Sequence, residues 1–414
     1  VRAVDGLSFE VPAGGALGIV GESGSGKSVT SLALMGLHRG SRARITGGIE
    51  VVGTDVVAAS DRKLRSMRGN DIAMVFQDPM QSLHPQYTIG NQLVEAYLVH
   101  HPKAGKAAAR QRAVEALDRV GIPEPAKRIN SYPHEFSGGM RQRVVIAMGL
   151  MCDPKVLLAD EPTTALDVTV QARILDLLDE LRRELNMALI LVSHDLAVVA
   201  GSVDEVVVMR HGQAVERGDV RRVLSAPEHP YTQALLAAVP RVEMSRAERR
   251  AQDRADRVER EKRGGTVTEP GDFEAFVPAS TEGEPLLRVQ DVAQRFKVRG
   301  GMWGKATDFW AVKGVSFDLY KGETLGVVGE SGSGKSTLSR MVMRLLEPTE
   351  GTVEFEGQDI THLPERRLRP LRRDVQMVFQ NPYSSLNPRL TIGQSIGTAL
   401  RVQGENDGRR IRSR

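Results

Sequence analysis

Two identical octapeptides carry the residue types that bind phosphate. The sequence GESGSGKS occupies residues 21–28 and again residues 329–336, so the copies begin 308 residues apart (329 − 21). Both fit the pattern G-x-x-x-x-G-K-[ST], in which glycines let consecutive backbone N–H groups turn toward phosphate oxygens. Each copy follows an apolar run and precedes a helical pattern, whose positive end attracts an anion. Because a chance match in a chain of this length is on the order of one in a hundred, two identical matches indicate nucleotide binding.

Each loop ends in a lysine and a serine that suit different parts of a nucleotide. We expect Lys27 and Lys335 to reach the β- and γ-phosphates, and Ser28 and Ser336 to ligate Mg2+. The predicted nucleotide contacts are Gly21, Glu22, Ser23, Gly24, Ser25, Gly26, Lys27 and Ser28 in the first loop, and Gly329, Glu330, Ser331, Gly332, Ser333, Gly334, Lys335, Ser336 and Thr337 in the second.

Two acidic residues close a buried apolar run in the first copy. The run KVLLADEP occupies residues 155–162. One acid after a strand is usually a surface turn, but two acids downstream of a phosphate loop are typical of the strand that completes a nucleotide site. We expect Asp160 to hold Mg2+ through water, and Glu161 to orient the attacking water or accept its proton.

The positions of two further segments in the sequence indicate roles in nucleotide binding. Ser137 begins FSGGMRQR, and although Ser-Gly-Gly commonly just starts a helix, it lies 23 residues before Asp160 (160 − 137). The Ser137 hydroxyl and the amides of Gly138 and Gly139 would form a second anion site, which we expect to contact nucleotide held by another domain. A lone histidine is normally structural, but His194 follows a buried strand at the sheet edge where ligands bind, which favours a γ-phosphate contact.

Strands alternate with helices around these motifs. LGIV precedes the first loop, SVTSLALMGL follows it, and ALILVS and DEVVVM are short buried strands. The segment 168–186 has the helical spacing of a single apolar stripe, formed by Ile174, Leu177, Leu178, Leu181 and Leu185. The sequence therefore predicts the α/β class with a largely parallel sheet.

The two loops belong to a longer internal repeat. Residues 1–37 are similar to residues 309–345, and residues 72–93 are similar to residues 375–396. Such self-similarity predicts two copies of one domain. Copy one continues well beyond its matched region, so we expect copy two to be represented by its first half only. Position 1 is Val, and the N-terminus looks cut.

The repeat fixes an expected domain layout. The first domain should span 1–240, with a helical subdomain at about 78–155 and a C-terminal extension at about 212–240. Residues 241–285, rich in Arg, Glu, Ala, Gly and Pro, should form a linker. The second domain should span 286–414.

The composition excludes several kinds of site. One cysteine, Cys152, cannot form an intrachain disulfide or a four-cysteine zinc site. The longest apolar stretches, such as VVIAMGLMC, are far shorter than the roughly 18–20 residues of a membrane span. The net charge of +4 is spread among mixed charges, which disfavours a nucleic-acid partner and leaves a basic face near an anionic membrane open.

The ordered set of motifs resembles the ATP-binding cassette (ABC) family. The resemblance covers nearly all of copy one and the first half of copy two. The matching segments of copy one are Walker A at Gly21–Ser28, the Q-loop at Gln77, the signature at Ser137–Met140, Walker B at Val156–Glu161, the D-loop at Ala165–Asp167 and the switch His194. It implies a P-loop NTPase cassette with a mainly parallel core sheet, an antiparallel β subdomain and a helical insert subdomain.

Departures from the usual pattern indicate a subfamily. The family usually has Leu at Phe136 and Gln at Met140. Met140, the RQR after it, FQDPMQSLHP, FQNPYSSLNP and the tail EHPYTQALLAAVP at 228–240 are similar to the dipeptide/oligopeptide/nickel importers, which include fused twin-cassette ATPases of the glutathione-importer type. Some relatives have a cysteine cluster near this tail, and this chain does not.

The resemblance also implies roles for single residues. Glu161, His194 and Gln77 would be catalytic, and Gln77 and Gln380 would join Ser28, Asp160 and Ser336 at Mg2+. The adenine-stacking aromatic of copy two would be Phe296, with Trp303 and Trp310 as rivals, while that of copy one should precede the first strands.

The implied function is to energise import of peptides or related small solutes across the cytoplasmic membrane. Two permease subunits, one of whose helices would enter a groove near Gln77 and residues 78–135, would be partners, and an extracellular solute-binding protein would act through them. The chain would lie peripherally on the cytoplasmic face, without nucleic acid. Head-to-tail pairing would put each nucleotide between the loop of one copy and the SGG helix of the other, so we expect low ATPase activity from this chain alone.

Two other classes share some of these features. A soluble twin-cassette ATPase acting on ribosomes also has two cassettes and no spans, but the HPYT tail and the flexible linker count against it. In a DNA-repair ATPase of the coiled-coil kind, hundreds of heptad residues would separate the Q-loop from the signature. Here the separation is 60 residues (137 − 77).

Overall fold

The chain is described by a computed structural model over residues 2–39, 41–77, 82–164, 166–237, 283–299, 306–330, 332–379, 385–402, 404–405 and 407–413. These residues separate into two compact units, Val1–Gly265 and Thr266–Arg414. Most of the expected linker lies outside the described residues, as do four residues singled out above: Ala165, Trp303, Ser331 and Gln380.

The first unit alternates strands and helices as its sequence predicts. Its strands are β1 (Ala16–Val20), β2 (Glu50–Val51), β3 (Thr54–Asp55), β4 (Ile72–Val75), β5 (Val156–Asp160), β6 (Ala188–Ser193), β7 (Glu205–Arg210) and β8 (Gln213–Asp219). Its helices are α1 (Lys27–Leu34), α2 (Asp61–Met67), α3 (Ile89–Leu98), α4 (Lys106–Arg119), α5 (Pro125–Arg128), α6 (Gly138–Gly149), α7 (Val168–Leu185), α8 (Leu196–Val199), α9 (Val220–Ser225) and α10 (Pro230–Ala237).

A six-stranded sheet in the order β4-β5-β6-β1-β7-β8 forms the centre of this unit. Strands β4, β5, β6, β1 and β7 are parallel, and β8 returns antiparallel to β7. The predicted parallel sheet is therefore confirmed. In register, Asp160 lies opposite Val192, and Val20 lies opposite Ser193. The carboxyl ends of β5, β6 and β1 consequently meet at one edge, where Asp160 and the first phosphate loop emerge.

Apolar residues bury both faces of the sheet. Every residue of β1 and β6 is buried, as expected for parallel strands covered on both sides. The predicted stripe on α7 faces the core: Ile174, Leu177, Leu178 and Leu181 are buried, and Leu185 packs at the margin. Asp167 caps this helix, since its Oδ1 accepts from the Val170 N–H at 2.9 Å.

Helices fill the chain between β4 and β5. Described residues there form α3 to α6, with a short 3-10 helix at Pro133–Glu135 just before α6. After α7 the chain completes the sheet with the β7–β8 hairpin. Helices α9 and α10 then pack back on the unit, and α10 contains the HPYT tyrosine, Tyr231.

The second unit is built on an antiparallel sheet in the order β10-β9-β11-β12. Its elements are β9 (Leu287–Arg299), β10 (Ala306–Leu319), α11 (Lys335–Val342), β11 (Glu350–Phe355), β12 (Gln358–Asp359), α12 (Glu365–Leu371), α13 (Ile392–Val402) and α14 (Gly408–Ser413). Its core joins Val289, Val292 and Val353 of the sheet to Met341 of α11 and Leu368 of α12.

One repeated segment differs between the units. Residues 324–328 match β1 in the repeat (16 + 308 = 324), yet they lie outside any strand, and Val328 is 95% exposed. In the first unit, β1 is hydrogen-bonded on both sides, to β6 and β7. Within the described part of the second unit no parallel strand pairs with 324–328, and backbone polar groups without a strand partner stay in water.

Candidate nucleotide-binding site

The first phosphate loop has the tight curvature that its glycines permit. Gly24 and Gly26 have φ of +82° and +104°, in the left-handed region that residues with a Cβ avoid. A Cβ at Gly26 would also lie 2.6 Å from the Ala3 carbonyl oxygen. Helix α1 begins immediately afterwards at Lys27, so its N-terminus opens toward the loop. The loop and helix together form a site for phosphate groups.

Lys27 lies inside the loop. Its side chain is only 5% exposed, and Nζ donates to the carbonyl oxygens of Gly21 at 2.6 Å and Glu22 at 2.9 Å. Burial lowers the pKa of Lys27, and the nearby carboxylates of Glu161, Asp160 and Glu22 raise it in opposition. The Lys27 ammonium therefore lies at the same sheet edge as Asp160 and Glu161.

Asp160 ends β5 beside the loop. It is 7% exposed, and burial raises its pKa, while a hydrogen bond from the Ser28 hydroxyl acts in the opposite direction. The loop serine thus lies beside the first acid, and their expected role at Mg2+ stays a prediction. Both groups offer hard oxygen atoms, which are the ligands Mg2+ prefers.

The described residues contain no cluster of three or more His, Cys, Asp or Glu able to hold a metal ion by themselves. Mg2+ usually takes one or two protein oxygens and completes its shell with phosphate and water oxygens. Ser28 and Asp160 are the two side chains in contact that would hold it.

One oxygen of the Glu161 carboxylate contacts both of the other residues expected to be catalytic. Glu161 Oε2 accepts from Gln77 Nε2 at 3.0 Å and lies 3.2 Å from His194 Nδ1. It also accepts from the Thr164 hydroxyl at 3.0 Å. Gln77, Glu161 and His194 follow β4, β5 and β6, so three adjacent strands position them. We call Gln77, Glu161, Thr164 and His194 the carboxylate cluster.

The backbone at Glu161 is unusual. Its φ of +48° lies in the left-handed region, where a non-glycine residue costs on the order of 1–3 kcal/mol. The Glu161 N–H donates to the Val192 carbonyl at 2.9 Å, which holds the residue against β6. Sequence reasoning missed Thr164, although its position three residues after Glu161 gives a signal for a side chain on the same turn.

The signature residues lie at a different place in the unit. Ser137 caps its own helix, accepting from the Met140 N–H at 3.3 Å, and both Ser137 and Gly138 are exposed. Gly139 packs against α7, where a Cβ would come within 2.6 Å of Val170 Cγ1. The described hydrogen bonds join none of these residues to the phosphate loop. The predicted contact with nucleotide on another domain stays a prediction.

The second loop repeats the local geometry of the first. Gly332 and Gly334 have φ of +84° and +96°, and Lys335 Nζ donates to Gly329 O at 2.6 Å and Glu330 O at 2.7 Å. Ser336 and Thr337 follow on α11.

The aromatic candidates of the second unit lie in its antiparallel sheet. Phe296 on β9 is opposite Phe309 on β10 and is 39% exposed. Trp310 has the Arg295 guanidinium over its ring, with Cζ 5.5 Å from the centroid. The exposure of Phe296 leaves its face accessible to a base, and Trp310 is already covered by a cation.

Comparison with known proteins gives two family matches. The family model described as "ABC transporter" matches residues 4–164 and 312–413, and "Oligopeptide/dipeptide transporter, C-terminal region" matches residues 215–265. At the level of folds, the post-hydrolysis dimer of an ATP-binding cassette bound to ADP and Pi covers 53% of this chain and 91% of its own, with 27% identity and a TM-score of 0.47.

Curated relatives align along almost the whole chain. The glutathione import ATP-binding protein GsiA of Salmonella choleraesuis (strain SC-B67) is 46% identical over 417 residues, covering 99% of this chain and 66% of the relative. Its namesake in Shigella dysenteriae serotype 1 is 45% identical over 98% of this chain and 65% of the relative. The chain thus spans slightly less than two thirds of the length of these relatives. With two matches to one family model over more than half of its residues, the chain belongs to the ABC transporter family of ATP-binding cassettes.

Proposed function

We propose that this chain binds and hydrolyses ATP to energise import of peptides or related small solutes, of the glutathione and oligopeptide class, across the cytoplasmic membrane. The carboxylate cluster is the observation that carries the hydrolytic part, because one carboxylate oxygen contacts residues from three adjacent strand ends. The transport part is supported by the relatives, which are named for glutathione import, and by the oligopeptide-transporter match at 215–265.

In this proposal the phosphate loop and the carboxylate cluster have separate roles. Lys27 exchanges its bonds to loop carbonyls for bonds to phosphate oxygens. Ser28 and Asp160 would hold Mg2+, which would supply positive charge against the phosphates. Glu161 orients the attacking water and accepts its proton, while Gln77 and His194 hold the carboxylate and sense the γ-phosphate.

The second unit supplies the second ATP site through Lys335 and Ser336, with Gln380 at Mg2+ and Phe296 against the adenine. We propose head-to-tail pairing of the cassettes, so that Ser137, Gly138 and Gly139 contact the nucleotide on the second loop. The domain layout follows the repeat: a first cassette at 1–240, a linker at 241–285 and a second cassette from 286.

The proposed permease contact is on the helical insert. A solvent-open groove of about 490 Å³ lies there, lined by Asn91, Val94, Glu95, Leu98, Val99 and Lys106. Val99 is largely exposed at its rim. An amphipathic helix from either of two permease subunits would bury these apolar side chains, with a solute-binding protein acting through the permease. None of the described helices is long and apolar enough to cross a membrane. In this proposal the chain attaches peripherally, through the permease, at the cytoplasmic face.

Substitution of Glu161 tests the hydrolytic step. In the full-length protein, Glu161→Gln should keep Mg–ATP binding but lower turnover at least ~10²-fold, since a general base is lost. Glu115→Gln, at an exposed position on α4, is the matched control and should change neither quantity. Near-wild-type steady-state turnover in Glu161→Gln would remove that residue from its role.

Co-purification tests the transport assignment. Tagged full-length protein extracted from its native membranes should bring down two membrane proteins. Recovery with ribosomes and without membrane proteins would replace the import proposal by the twin-cassette alternative.

A further inference from the structure

The first phosphate loop is held from outside by two residues that follow β7. The Gly212 N–H, in the β7–β8 turn, donates to the Ser25 carbonyl at 3.0 Å. The Glu22 N–H donates to the Tyr231 hydroxyl at 3.1 Å, across a sequence separation of 209 residues. We call Gly212 and Tyr231 the loop brace. One contact comes from the central sheet, and the other comes from the segment matched to the oligopeptide-transporter C-terminal region.

Tyr231 is held in a fixed position. Its side chain is 7% exposed and packs into the main core of the first unit. Its backbone N–H donates to His229 Nδ1 at 3.1 Å, and Arg210 Cζ lies 4.9 Å from its ring centroid. The hydroxyl is therefore presented to the loop by a ring with little freedom to move.

Glu216 anchors the chain that carries this tyrosine. Its two carboxylate oxygens accept from the N–H groups of Glu228 at 2.9 Å and His229 at 3.0 Å. These bonds hold the start of the HPYT segment on β8. Thr232, the next residue after Tyr231, is fully buried in the same contact. Hydrogen bonds thus connect β8 to the phosphate loop through Glu216, His229 and Tyr231.

The second loop provides an internal contrast. Its octapeptide is identical, but among the residues that the structure describes nothing accepts from the Glu330 N–H, and Glu330 is exposed. The acceptor for the Glu22 N–H is therefore supplied by a residue outside the octapeptide.

We infer that Tyr231 is a positioning residue for the first ATP site, coupling the docking of residues 228–237 to the conformation of the phosphate loop. This inference rests on the proposed ATP binding of that loop. A loop fixed before ligand arrives has less freedom to lose on binding, so bracing favours affinity. By linkage, nucleotide bound in the loop must in turn stabilise the docked tail.

The test uses Tyr231→Phe in the 414-residue chain, which keeps the ring and removes the hydroxyl. Tyr87→Phe, at an exposed ring whose aromatic contact is with His84, is the matched control. Both are made in a Lys335→Ala background, so that Mg–ATP titration reports on the first loop. We expect the Kd to rise about three- to tenfold in Tyr231→Phe, the effect of about one net hydrogen bond, and to stay unchanged in Tyr87→Phe.

Amide hydrogen exchange gives a readout that does not depend on turnover. Without nucleotide, Tyr231→Phe should speed exchange in peptides covering 16–27 and leave peptides covering 324–335 unchanged. In the parent chain, Mg–ATP should slow exchange in 228–237, and this protection should shrink in Tyr231→Phe.

The outcomes separate the two proposals. Wild-type affinity in Tyr231→Phe, together with unchanged exchange at 16–27, would overturn the brace while leaving ATP binding intact. If the parent chain binds no Mg–ATP, the proposed function fails, and exchange measured without nucleotide still decides whether Tyr231 holds the loop.

Discussion

The two copies of GESGSGKS share a conformation but not an environment. Corresponding glycines agree in φ within about ten degrees, and each lysine donates to the same two carbonyls of its loop. Yet Lys27 is buried beside Asp160 and Glu161, whereas Lys335 is partly exposed. The octapeptide therefore determines its own backbone, and the described residues around it determine how deeply its lysine is buried.

Strand formation also differs between similar segments of the two units. Residues 16–20 form the central strand of the first unit, and 324–328 form none. Conversely, residues 311–319 lie in β10, paired with β9, whereas the similar residues 3–11 lie outside any strand. In each pair the sequences are alike and the available hydrogen-bonding partners differ. Strand formation is thus decided by the neighbour as well as by the segment.

Replacing each loop lysine should have the largest effect on this comparison. In the full-length protein, Lys27→Ala and Lys335→Ala should each abolish binding at one site only, because each ammonium serves its own phosphates. The stoichiometry of bound Mg–ATP, measured by calorimetry, should fall from two to one in either variant. Loss of both sites from a single substitution would mean that the loops do not bind independently.

Replacing the first glycine of each loop by alanine should show how differently the two loops are packed. A Cβ at Gly21 would lie 2.2 Å from the Met209 carbonyl oxygen, which is backbone of β7 and cannot rotate away. A Cβ at Gly329 would meet only Ser333, with Oγ at 2.7 Å, and that side chain can turn. We expect Gly21→Ala to destabilise the first unit by about 1–3 kcal/mol, the usual cost of overpacking.

Gly329→Ala is the matched control for this substitution and should stay within about 0.5 kcal/mol of wild type. Denaturant unfolding followed by exchange in peptides of each unit measures both. Equal destabilisation would show that the exposed second loop is as constrained as the first, contrary to the structure.

How far the sequence could anticipate the site depends on whether residues act locally or through the fold. Lys27, Asp160 and the α7 stripe were predictable because motif spacing and the helical period are local properties. Thr164 required the turn after β5, which the sequence only suggests. The bond from Glu22 to Tyr231 joins residues far apart in the chain, and no pattern in one sequence indicates which tyrosine reaches the loop.

The same reasoning explains the failure at 324–328. An apolar run before a phosphate loop predicts a buried strand, and the prediction is right for 16–20. Residues 324–328 lie outside any strand, and no described strand of the second unit pairs with them.

The smallest predicted effect concerns Glu216, the anchor of the loop brace. Burial alone would raise the pKa of Glu216. The amides of Glu228 and His229, which donate to the carboxylate, and the charge of His229 more than offset it, so the pKa of Glu216 lies below its ordinary value. Because the folded state favours the ionised form, the contribution to stability is present at neutral pH and is lost as pH falls below about 4.5 through the folded pKa.

Glu216→Gln keeps the shape and removes this charge. At pH 7 it should destabilise the docked tail by about 1 kcal/mol, the typical net contribution of one hydrogen bond. Exchange in 228–237 should accelerate, followed by a smaller acceleration in 16–27, with 324–335 unaffected. Acidification should loosen the tail of the parent chain and add little in the variant. Because Glu216 holds the segment that carries Tyr231, equal acceleration at 16–27 and in α7 (Val168–Leu185) would show that Glu216 acts on the overall stability of the first unit and not through Tyr231.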